Sequence, residues 1–299
     1  MGKINLKNKR VLVTGGNGYL GRNLVAQLKK IQAEVFVMDK NGVEDSCTFI
    51  VDITKENEVN QAIQKIQPEI VFHLAASLNR ARNFDQFEEI DAINHKGTYH
   101  LLKALNGIDY ENFIFASSSE IYGDNPSPFV ENQVPSPASP YSLTKVYAEQ
   151  LIQTYSKTYN KNYTILRIFN FFGRDMSPQF FIPQMIETLK KNEVFEMTEG
   201  EQTRDFLYLD DIVQAMILSA KQATNSTYNV CSGEAISLRE LVLETKKKLG
   251  SQSEIRFGAL PYRENEVWEM VGDNSKIKKE LGFGVQFDLK QGLEKLIEP

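Results

Sequence analysis

The chain has 299 residues, of which 41% are hydrophobic and 24% are charged, a composition typical of a globular protein. Its 34 Lys and Arg residues against 39 Asp and Glu residues give a formal net charge of −5, so electrostatics provide no basis for a nucleic-acid or anionic-membrane partner. No apolar run approaches the roughly 18–20 residues of a membrane span, and the amino terminus lacks the apolar core of a signal peptide. The two cysteines, Cys47 and Cys231, predict neither a disulfide framework nor a metal site, which favours a reducing, cytoplasmic location.

The first part of the chain alternates short β-branched runs with longer helical patterns. The predicted strands are 10–14, 34–39, 48–52, 69–76, 112–119 and 163–170, and the predicted helices are 18–31, 56–66, 84–106 and 141–159. Because the apolar runs do not alternate strictly, we expect strands that are buried on both faces and covered by the helices between them. This order predicts the α/β class, with a Rossmann-type doubly wound parallel sheet.

After residue 170 the pattern is less regular. The predicted elements are a helix within 177–191, a strand and a helix within 204–221, a short strand of the first sheet at 228–230, and a helix from 237 to 250. The last helix carries a capping box, in which Glu240 follows Ser237 by three residues. We therefore predict a dinucleotide-binding domain over 1–170, to which the chain returns near 205–232, and a smaller C-terminal α/β lobe over 171–299 that binds the substrate.

The stretch "TGGNGYLG" lies between the first strand and the first helix and spaces Gly15, Gly18 and Gly21 at intervals of three. Glycine permits a tight turn and lets backbone N–H groups approach a diphosphate, while the helix N-terminus favours negative charge. The pattern predicts nucleotide binding, and a plain tight turn is the alternative.

Asp39 ends the second strand, about 20 residues beyond the glycines. A carboxylate there accepts hydrogen bonds from the adenosine ribose and repels a 2′-phosphate, which favours NAD over NADP. Lys40 beside it keeps NADP open. Asp52, at the end of the third strand, is a candidate for the adenine edge. A solvated aspartate at a strand end is the alternative for both residues.

Other polar residues also follow strands or share a helix face. "FASSSEIYG" ends the fifth strand, at the edge where open α/β sheets bind ligands. Tyr141 and Lys145 lie four residues apart in a predicted helix, a spacing that permits a shared site without requiring one.

Arg204 offers a cation to an anionic ligand, with an ion pair to Asp210 or Asp211 as the alternative. His73 is expected to be a packed strand residue.

Taken together, several motifs occur in a characteristic order: "TGGNGYLG", "HLAA", "SSSEIYG", "YSLTK", "RIFNFFG" and "RDFLYLDD". Over about residues 10–297 the chain resembles the extended short-chain dehydrogenase/reductases of the NAD-dependent epimerase/dehydratase family. The resemblance implies NAD as cofactor, with NADP as the alternative, and a nucleoside diphosphate sugar as substrate. It also implies a homodimer formed through the helices near 94–106 and 141–159.

The resemblance implies three catalytic residues, Ser118, Tyr141 and Lys145. Ser118 is chosen among the three serines because the family's catalytic Ser or Thr stands four residues before the Tyr of "IYG". Tyr141 takes a proton from a sugar hydroxyl, usually at C4, and Lys145 favours its phenolate form. Glu120 is ambiguous, since dehydratase and decarboxylase relatives use a Glu here to abstract a proton from carbon, whereas some reductases also carry it.

The same resemblance implies the binding residues. The cofactor set is Gly15, Gly18, Tyr19, Leu20, Gly21, Asp39, Asp52, Ile53, Leu74, Ala75, Ala76, Ser117, Tyr141, Lys145 and Phe169. The substrate set is Ser77, Ser118, Ser119, Asn170, Arg204 and Arg263, of which Asn170 and the arginines are expected near the diphosphate.

The predicted function is oxidoreduction at C4 of a nucleoside diphosphate sugar. A 4-epimerase is favoured over a 4-reductase of 4-keto-6-deoxy sugars, and the segment 257–283 looks most like such reductases and epimerases. A 4,6-dehydratase or decarboxylase that uses Glu120 is the alternative. A catalytically silent nucleotide-sensing protein is the alternative from a different class.

Overall fold

The computed structural model describes residues 5–79 and 81–297. The strands are β1 (Arg10–Thr14), β2 (Glu34–Asp39), β3 (Thr48–Ile50), β4 (Ile70–His73), β5 (Asn112–Ser118), β6 (Tyr163–Ile168), β7 (Asn170–Phe172), β8 (Phe195–Glu196), β9 (Thr203–Arg204), β10 (Phe206–Tyr208), β11 (Ser226–Val230), β12 (Ile236–Ser237), β13 (Ile255–Arg256) and β14 (Glu269–Met270). The helices are α1 (Tyr19–Lys30), α2 (Glu56–Ile66), α3 (Phe87–Asp91), α4 (Gly97–Ala104), α5 (Pro140–Tyr159), α6 (Phe181–Lys190), α7 (Leu209–Ala220), α8 (Leu238–Leu249), α9 (Ser275–Leu281) and α10 (Leu289–Ile297). A π-helical turn spans Ala92–Lys96, and a 3₁₀ turn spans Ser119–Tyr122.

Seven strands form one parallel sheet in the order β11-β6-β5-β4-β1-β2-β3. Central strand β1 pairs with β2 on one side and β4 on the other, so that Val11 lies between Val35 and Ile70. The strand order reverses at β1, and this reversal opens a crevice at the carboxyl ends of the strands. The predicted Rossmann-type α/β fold is confirmed.

The strands of this sheet are buried on both faces, as their apolar runs predict. In β1, Val11 and Val13 pack with residues of α1, α7 and α9, whereas Leu12 packs on the opposite face with residues of α2, α4 and α5. Full burial of an aliphatic side chain of this size contributes about 1.5–3 kcal/mol. The two apolar layers therefore fix which helices cover which face, and with them the position of α5 beside β5 and β6.

The predicted helix over 84–106 is in fact interrupted by the π-helical turn. Asn94 in that turn is buried, its Oδ1 accepts the N–H of Ser77 at 2.7 Å, and its Nδ2 donates to Thr144 Oγ1 at 3.1 Å. Gly97, which begins α4, packs closely on Ile53. A Cβ at Gly97 would lie 2.8 Å from Ile53 Cγ2, so this contact requires glycine. The wider turn thus lets one helix approach a strand end and also bond to the loop after β4.

The residues after 170 form small two- and three-stranded sheets and a separate apolar core that includes Phe172, Met185 and Leu241. The chain returns to the large sheet through α7 and through β11, which pairs with β6. The sequence predicts a return only near 205–232, but α9 also packs against the large sheet, through Ile277 and Leu281. The division into domains at residue 170 stays a prediction.

Two absences apply to residues 5–79 and 81–297 only. Within these ranges no helix combines the length and apolar character needed to cross a membrane. The same ranges contain no cluster of three or more His, Cys, Asp or Glu side chains arranged to hold a metal ion.

His73 is a packed strand residue, as predicted, and it joins β1 to α4. Its Nδ1 lies 2.7 Å from Thr14 Oγ1, and its Nε2 lies 2.9 Å from Thr98 Oγ1. Because the Thr98 hydroxyl donates to the carbonyl of Asn94, Thr98 accepts from Nε2–H, and Nδ1 accepts from the Thr14 hydroxyl. The ring is therefore neutral, and burial, together with the charge of Lys145, lowers the pKa of His73 to about 3.

This lowered pKa predicts a loss of stability in acid. The unfolded chain protonates His73 near pH ~6.5, whereas the folded chain does so only near pH 3, so the free energy of unfolding falls as the pH drops through this window. Urea unfolding is measured at pH 7.5, 6.5 and 5.5. The free energy of unfolding should depend more steeply on pH in the wild type than in His73→Gln, by at most about 1.4 kcal/mol per pH unit. Equal slopes for the two proteins would contradict the neutral buried imidazole.

Candidate active site

A cavity of about 1180 Å³ opens at the carboxyl ends of the parallel strands and extends to residues of the C-terminal part of the chain. It exceeds the roughly 300–1,000 Å³ of ordinary ligand pockets, so it has room for two ligands side by side. Every predicted site residue lines it: Gly15, Gly18, Tyr19, Leu20, Gly21, Asp39, Asp52, Ile53, Leu74, Ala75, Ala76, Ser77, Ser117, Ser118, Ser119, Glu120, Tyr141, Lys145, Phe169, Asn170, Arg204 and Arg263. The structure thus brings the predicted residues together, and their individual roles stay predictions.

The glycine turn requires glycine at Gly15 and Gly21 for two different reasons. Gly15 has φ +69°, and a Cβ there would lie 2.8 Å from the backbone nitrogen of Ala75. A Cβ at Gly21 would overlap the carbonyl oxygen of Gly15, which would prevent the close packing of α1 on the turn. Gly18 is the N-cap of α1 and, in the described chain, provides no side-chain cap. The turn therefore fits a dinucleotide diphosphate held by backbone N–H groups at the helix N-terminus.

Asp39 is fixed by backbone hydrogen bonds at the end of β2. Its Oδ2 accepts the N–H of Asn17 and its Oδ1 accepts the N–H of Asn41, both at 3.0 Å. This side chain is therefore ordered by the glycine turn rather than merely solvated. Each carboxylate oxygen keeps a lone pair for a ribose hydroxyl. Asp52 is ordered in a similar way, since it accepts from the backbone N–H and the hydroxyl of Thr54.

Helix α5 begins beside the cavity and carries both Tyr141 and Lys145. The hydroxyl of Ser139 caps the helix, and Pro140 occupies its first position, so the local sequence determines where the helix begins. Tyr141 is 4% exposed and Lys145 is 3% exposed. Lys145 Nζ donates to the carbonyl of Ala116 at 2.8 Å and lies 5.9 Å from the centre of the Tyr141 ring. Burial lowers the pKa of Lys145 to about 7.

The three serines at the end of β5 have different environments. Ser117 donates its hydroxyl to Glu149, and Ser119 donates to the sulfur of Met270. The hydroxyl oxygen of Ser118 instead accepts the backbone N–H of Glu120 at 3.2 Å. The Ser118 hydroxyl thus differs from its two neighbours, which donate to other side chains. The bond to Glu149 gives the Ser117 hydroxyl a partner in the protein interior.

Arg204 forms an ion pair with Glu266 and donates to the carbonyls of Thr203 and Val267, each at 2.8 Å. The alternative partners, Asp210 or Asp211, are therefore wrong. Asp211 instead accepts the backbone N–H groups of Gln286 and Phe287 and so holds the segment before α10.

Three residues important to the site were not predicted from the sequence: Asn94, Glu149 and Glu266. Glu266 lies three residues after Arg263 in "YRENE", and Glu149 lies four residues after Lys145, so spacing gives a weak signal for each. Asn94 has no such signal, because its partners are 17 and 50 residues away in the chain.

Comparison with known proteins agrees with this geometry. The profile of the NAD-dependent epimerase/dehydratase family matches residues 11–231. A provisionally assigned UDP-glucose 4-epimerase of Methanocaldococcus jannaschii is 30% identical over 96% of this chain and 97% of its own. The GDP-6-deoxy-D-talose 4-dehydrogenase of Aggregatibacter actinomycetemcomitans is 28% identical over 93% of each chain. A dTDP-D-glucose 4,6-dehydratase of Dictyostelium discoideum is also among the relatives, at 30% identity over 77% of this chain and 59% of its own.

The solved structures lead to the same class. The crystal structure of the Thermotoga maritima UDP-glucose 4-epimerase with UDP-glucose superimposes with a TM-score of 0.90 at 27% identity, over 96% of this chain and 97% of that one. The fold and the cavity define a dinucleotide-dependent enzyme of the extended short-chain dehydrogenase/reductase type. The chain belongs to the NAD-dependent epimerase/dehydratase family.

The position of Asp39 predicts which dinucleotide binds more tightly. We expect calorimetric titration to give tighter binding of NADH than of NADPH, because the carboxylate accepts from the ribose hydroxyls and repels a 2′-phosphate. Asp39→Ser should weaken NADH binding by about 10- to 100-fold, the cost of one charge-assisted hydrogen bond, and should reduce the discrimination. Asp45→Asn is the control, because Asp45 is exposed and lies outside the cavity. Equal affinities in the wild type, or tighter NADPH binding, would contradict the assignment.

Proposed function

We propose that this enzyme catalyses oxidation and reduction at C4 of a nucleoside diphosphate sugar, with epimerisation at C4 as the net reaction. The observation that carries the proposal is that Ser118, Tyr141 and Lys145 line the same cavity as the glycine turn. A proton-transfer group therefore lies beside a dinucleotide site. The names of the relatives, which include 4-epimerases and a 4-dehydrogenase, support C4 as the reacting carbon.

The residues around the glycine turn fit NAD. Gly15, Gly18 and the N-terminus of α1 would hold its diphosphate, and Asp39 its adenosine ribose. When bound, NAD supplies the hydride acceptor and donor for C4. In this proposal Lys145 also orients the nicotinamide ribose.

The chain's own residues supply the proton transfer. Tyr141 Oη removes the proton of the C4 hydroxyl, and Ser118 Oγ hydrogen-bonds to the same sugar oxygen. A free tyrosine titrates near pH ~10 and is a poor base at neutrality. The ammonium group of Lys145, one helical turn from Tyr141, stabilises the phenolate and brings the proton transfer toward neutral pH.

The cavity residues that come from the chain after 169 suit a diphosphate. Arg204 is held in place by Glu266, Arg263 lines the same cavity, and the Asn170 amide lies at the start of β7. A planar guanidinium donates two parallel hydrogen bonds to phosphate oxygens, which favours arginine here. We propose that these residues bind the substrate's diphosphate and that the part of the chain after 170 forms the substrate lobe.

Two further features of the proposal concern assembly and location. We propose a homodimer formed through the helices near 94–106 and 141–159, where Tyr99 and Tyr147 are exposed. We also propose a cytoplasmic location, from the cysteine content.

A panel of nucleotide sugars separates the candidate reactions. The enzyme is incubated with UDP-, GDP-, CDP- and dTDP-sugars, with and without added NADH or NADPH, and the products are analysed by mass spectrometry and by separation of epimers. We expect a product of unchanged mass. A gain of two hydrogens would instead show a reductase, and a loss of water a dehydratase. Bound nicotinamide without turnover of any sugar would favour a nucleotide-sensing protein.

Tyr141 is the residue whose loss should stop the reaction. Tyr141→Phe removes only the hydroxyl, so we expect kcat to fall by about 10²–10⁴-fold while NADH affinity stays close to that of the wild type. Tyr163→Phe, on β6 and outside the cavity, is the matched control and should keep its activity. A Tyr141→Phe enzyme that keeps more than about a tenth of the wild-type kcat would exclude the proton-transfer role.

Glu120 separates hydride transfer at C4 from dehydration. It lines the cavity, and its backbone N–H donates to Ser118 Oγ. If only C4 reacts, no proton on carbon needs a base, and Glu120 orients its neighbours. Glu120→Gln should then cost about one to two orders of magnitude in kcat, the effect of a lost charge-assisted hydrogen bond.

Solvent deuterium provides the second measurement for Glu120. Turnover in D₂O should leave no deuterium at C5 or C6 of the product, because neither carbon loses a proton in C4 epimerisation. Deuterium at these positions, together with an inactive Glu120→Gln enzyme, would replace the proposed reaction with dehydration.

A further inference from the structure

A buried carboxylate, Glu149, lies on the face of α5 that carries the two proposed catalytic residues. Tyr141, Lys145 and Glu149 are spaced at intervals of four, so their side chains follow one another along one side of the helix. Glu149 is 1% exposed. No step of the proposed reaction uses it.

Three hydrogen-bond donors contact the Glu149 carboxylate. Arg167 Nη2 donates to Oε2 at 2.8 Å and Arg167 Nε donates to Oε1 at 3.2 Å, while the Ser117 hydroxyl donates to Oε1 at 2.5 Å. Arg167 itself is further held by the Tyr122 hydroxyl and the carbonyl of Glu131. The pairing with Arg167 offsets the cost of burying this carboxylate.

Lys145 is surrounded by few charged or titratable groups. Its own helix contributes Tyr141 and Glu149, and β4 contributes the neutral His73. From β6, Arg167 is bonded to the Glu149 carboxylate. Its other neighbours are the ring of Phe115, with Nζ 4.7 Å from the ring centre, and the carbonyl of Ala116. Burial lowers the pKa of Lys145 to about 7, and the Glu149 charge acts in the opposite direction.

We propose that Glu149 is a positioning residue that favours the protonated form of Lys145 on the Tyr141 face of α5. It also ties α5 to the end of β5, because Ser117 follows Ala116, the acceptor for Lys145, and precedes Ser118. The proposal rests on the proposed function in one respect, the use of the Tyr141 phenolate as base. One carboxylate thereby sets both the charge of the lysine and the distance between the helix and the strand that supplies Ser118.

The proposal predicts a shift in the pH–rate profile. Without the carboxylate, Lys145 loses its proton at a lower pH, so the phenolate of Tyr141 is less stabilised and forms at a higher pH. The limb of the kcat profile that rises with pH should therefore move to higher pH in Glu149→Gln, by on the order of one pH unit, as expected when an opposite charge that acts on Lys145 is removed. At neutral pH the same variant should lose about tenfold in kcat.

Three variants separate this effect from a loss of structure. Glu149→Gln keeps the shape but leaves the Arg167 charge buried without its partner, so it is expected to be less stable. Arg167→Met loses the same ion pair but keeps the carboxylate, and the double variant Glu149→Gln/Arg167→Met removes both charges. We expect the rising limb of the pH–kcat profile to move to higher pH in Glu149→Gln and in the double variant. It should not move to higher pH in Arg167→Met. A double variant with the wild-type profile, or an equal shift in Arg167→Met, would overturn the proposal.

A measurement without substrate separates this proposal from the proposed function. The ultraviolet absorbance of phenolate is titrated against pH for the wild type and for Tyr141→Phe, and the difference reports the ionisation of Tyr141. We expect this ionisation below that of an ordinary tyrosine, and at a higher pH in the double variant. Such a shift in a protein that turns over no nucleotide sugar would overturn the proposed function and keep the role of Glu149. Identical titrations for the wild type and the double variant would overturn the role of Glu149 even in an active enzyme.

Discussion

The parallel pairing of seven strands is the constraint on which the site depends. Since β1 pairs in parallel with both β2 and β4, the residues at the carboxyl ends of these strands meet at one edge of the sheet: Asp39 ends β2, Gly15 follows β1 and Leu74 follows β4. The glycine turn fits there only because Gly15 permits Ala75 to approach it. A parallel sheet also needs helices on both faces, and this requirement places α5 beside the end of β5. The edge and the helix together form the wall of the cavity at which the proposed chemistry takes place.

Buried polar groups hold the elements of this wall in register. Asn94 joins the π-helical turn to the loop after β4 and to α5, His73 joins β1 to α4, and Glu149 joins α5 to β5 and β6. Each of these groups has its partners, and a buried polar group left without one costs about 1–3 kcal/mol. Displacement of a single element would therefore leave several groups unsatisfied at once. These bonds give the cavity a geometry that apolar packing alone, which is not directional, does not determine.

The side of the cavity that contains Arg204, Arg263 and Glu266 is organised by a different means. Arg204 and Glu266 form an ion pair that carries no net charge as a unit, and Arg204 Nη1 also donates to the carbonyls of Thr203 and Val267, so the orientation of the guanidinium is fixed. Because β9 pairs with β14, the segment that contains Arg263 and Glu266 is held against Arg204. A ligand that reaches this side therefore meets donors that are already oriented, which reduces the entropy lost on binding.

The sequence by itself determined the fold class, the strands of the large sheet and the glycine turn, because apolar runs, glycine spacing and capping residues act over a few neighbouring positions. The motif order also pointed to the family and to the residues that line the cavity. Only the tertiary structure decided which polar groups pair with one another around the site. Arg204 pairs with Glu266 rather than with Asp210 or Asp211, which are nearer in sequence. The predicted helix over 84–106 contains a π-helical turn at Asn94, and Glu149 pairs with Arg167. These choices depend on contacts between residues 17 to 62 positions apart, where burial and geometry, rather than local spacing, determine which partner a polar group finds.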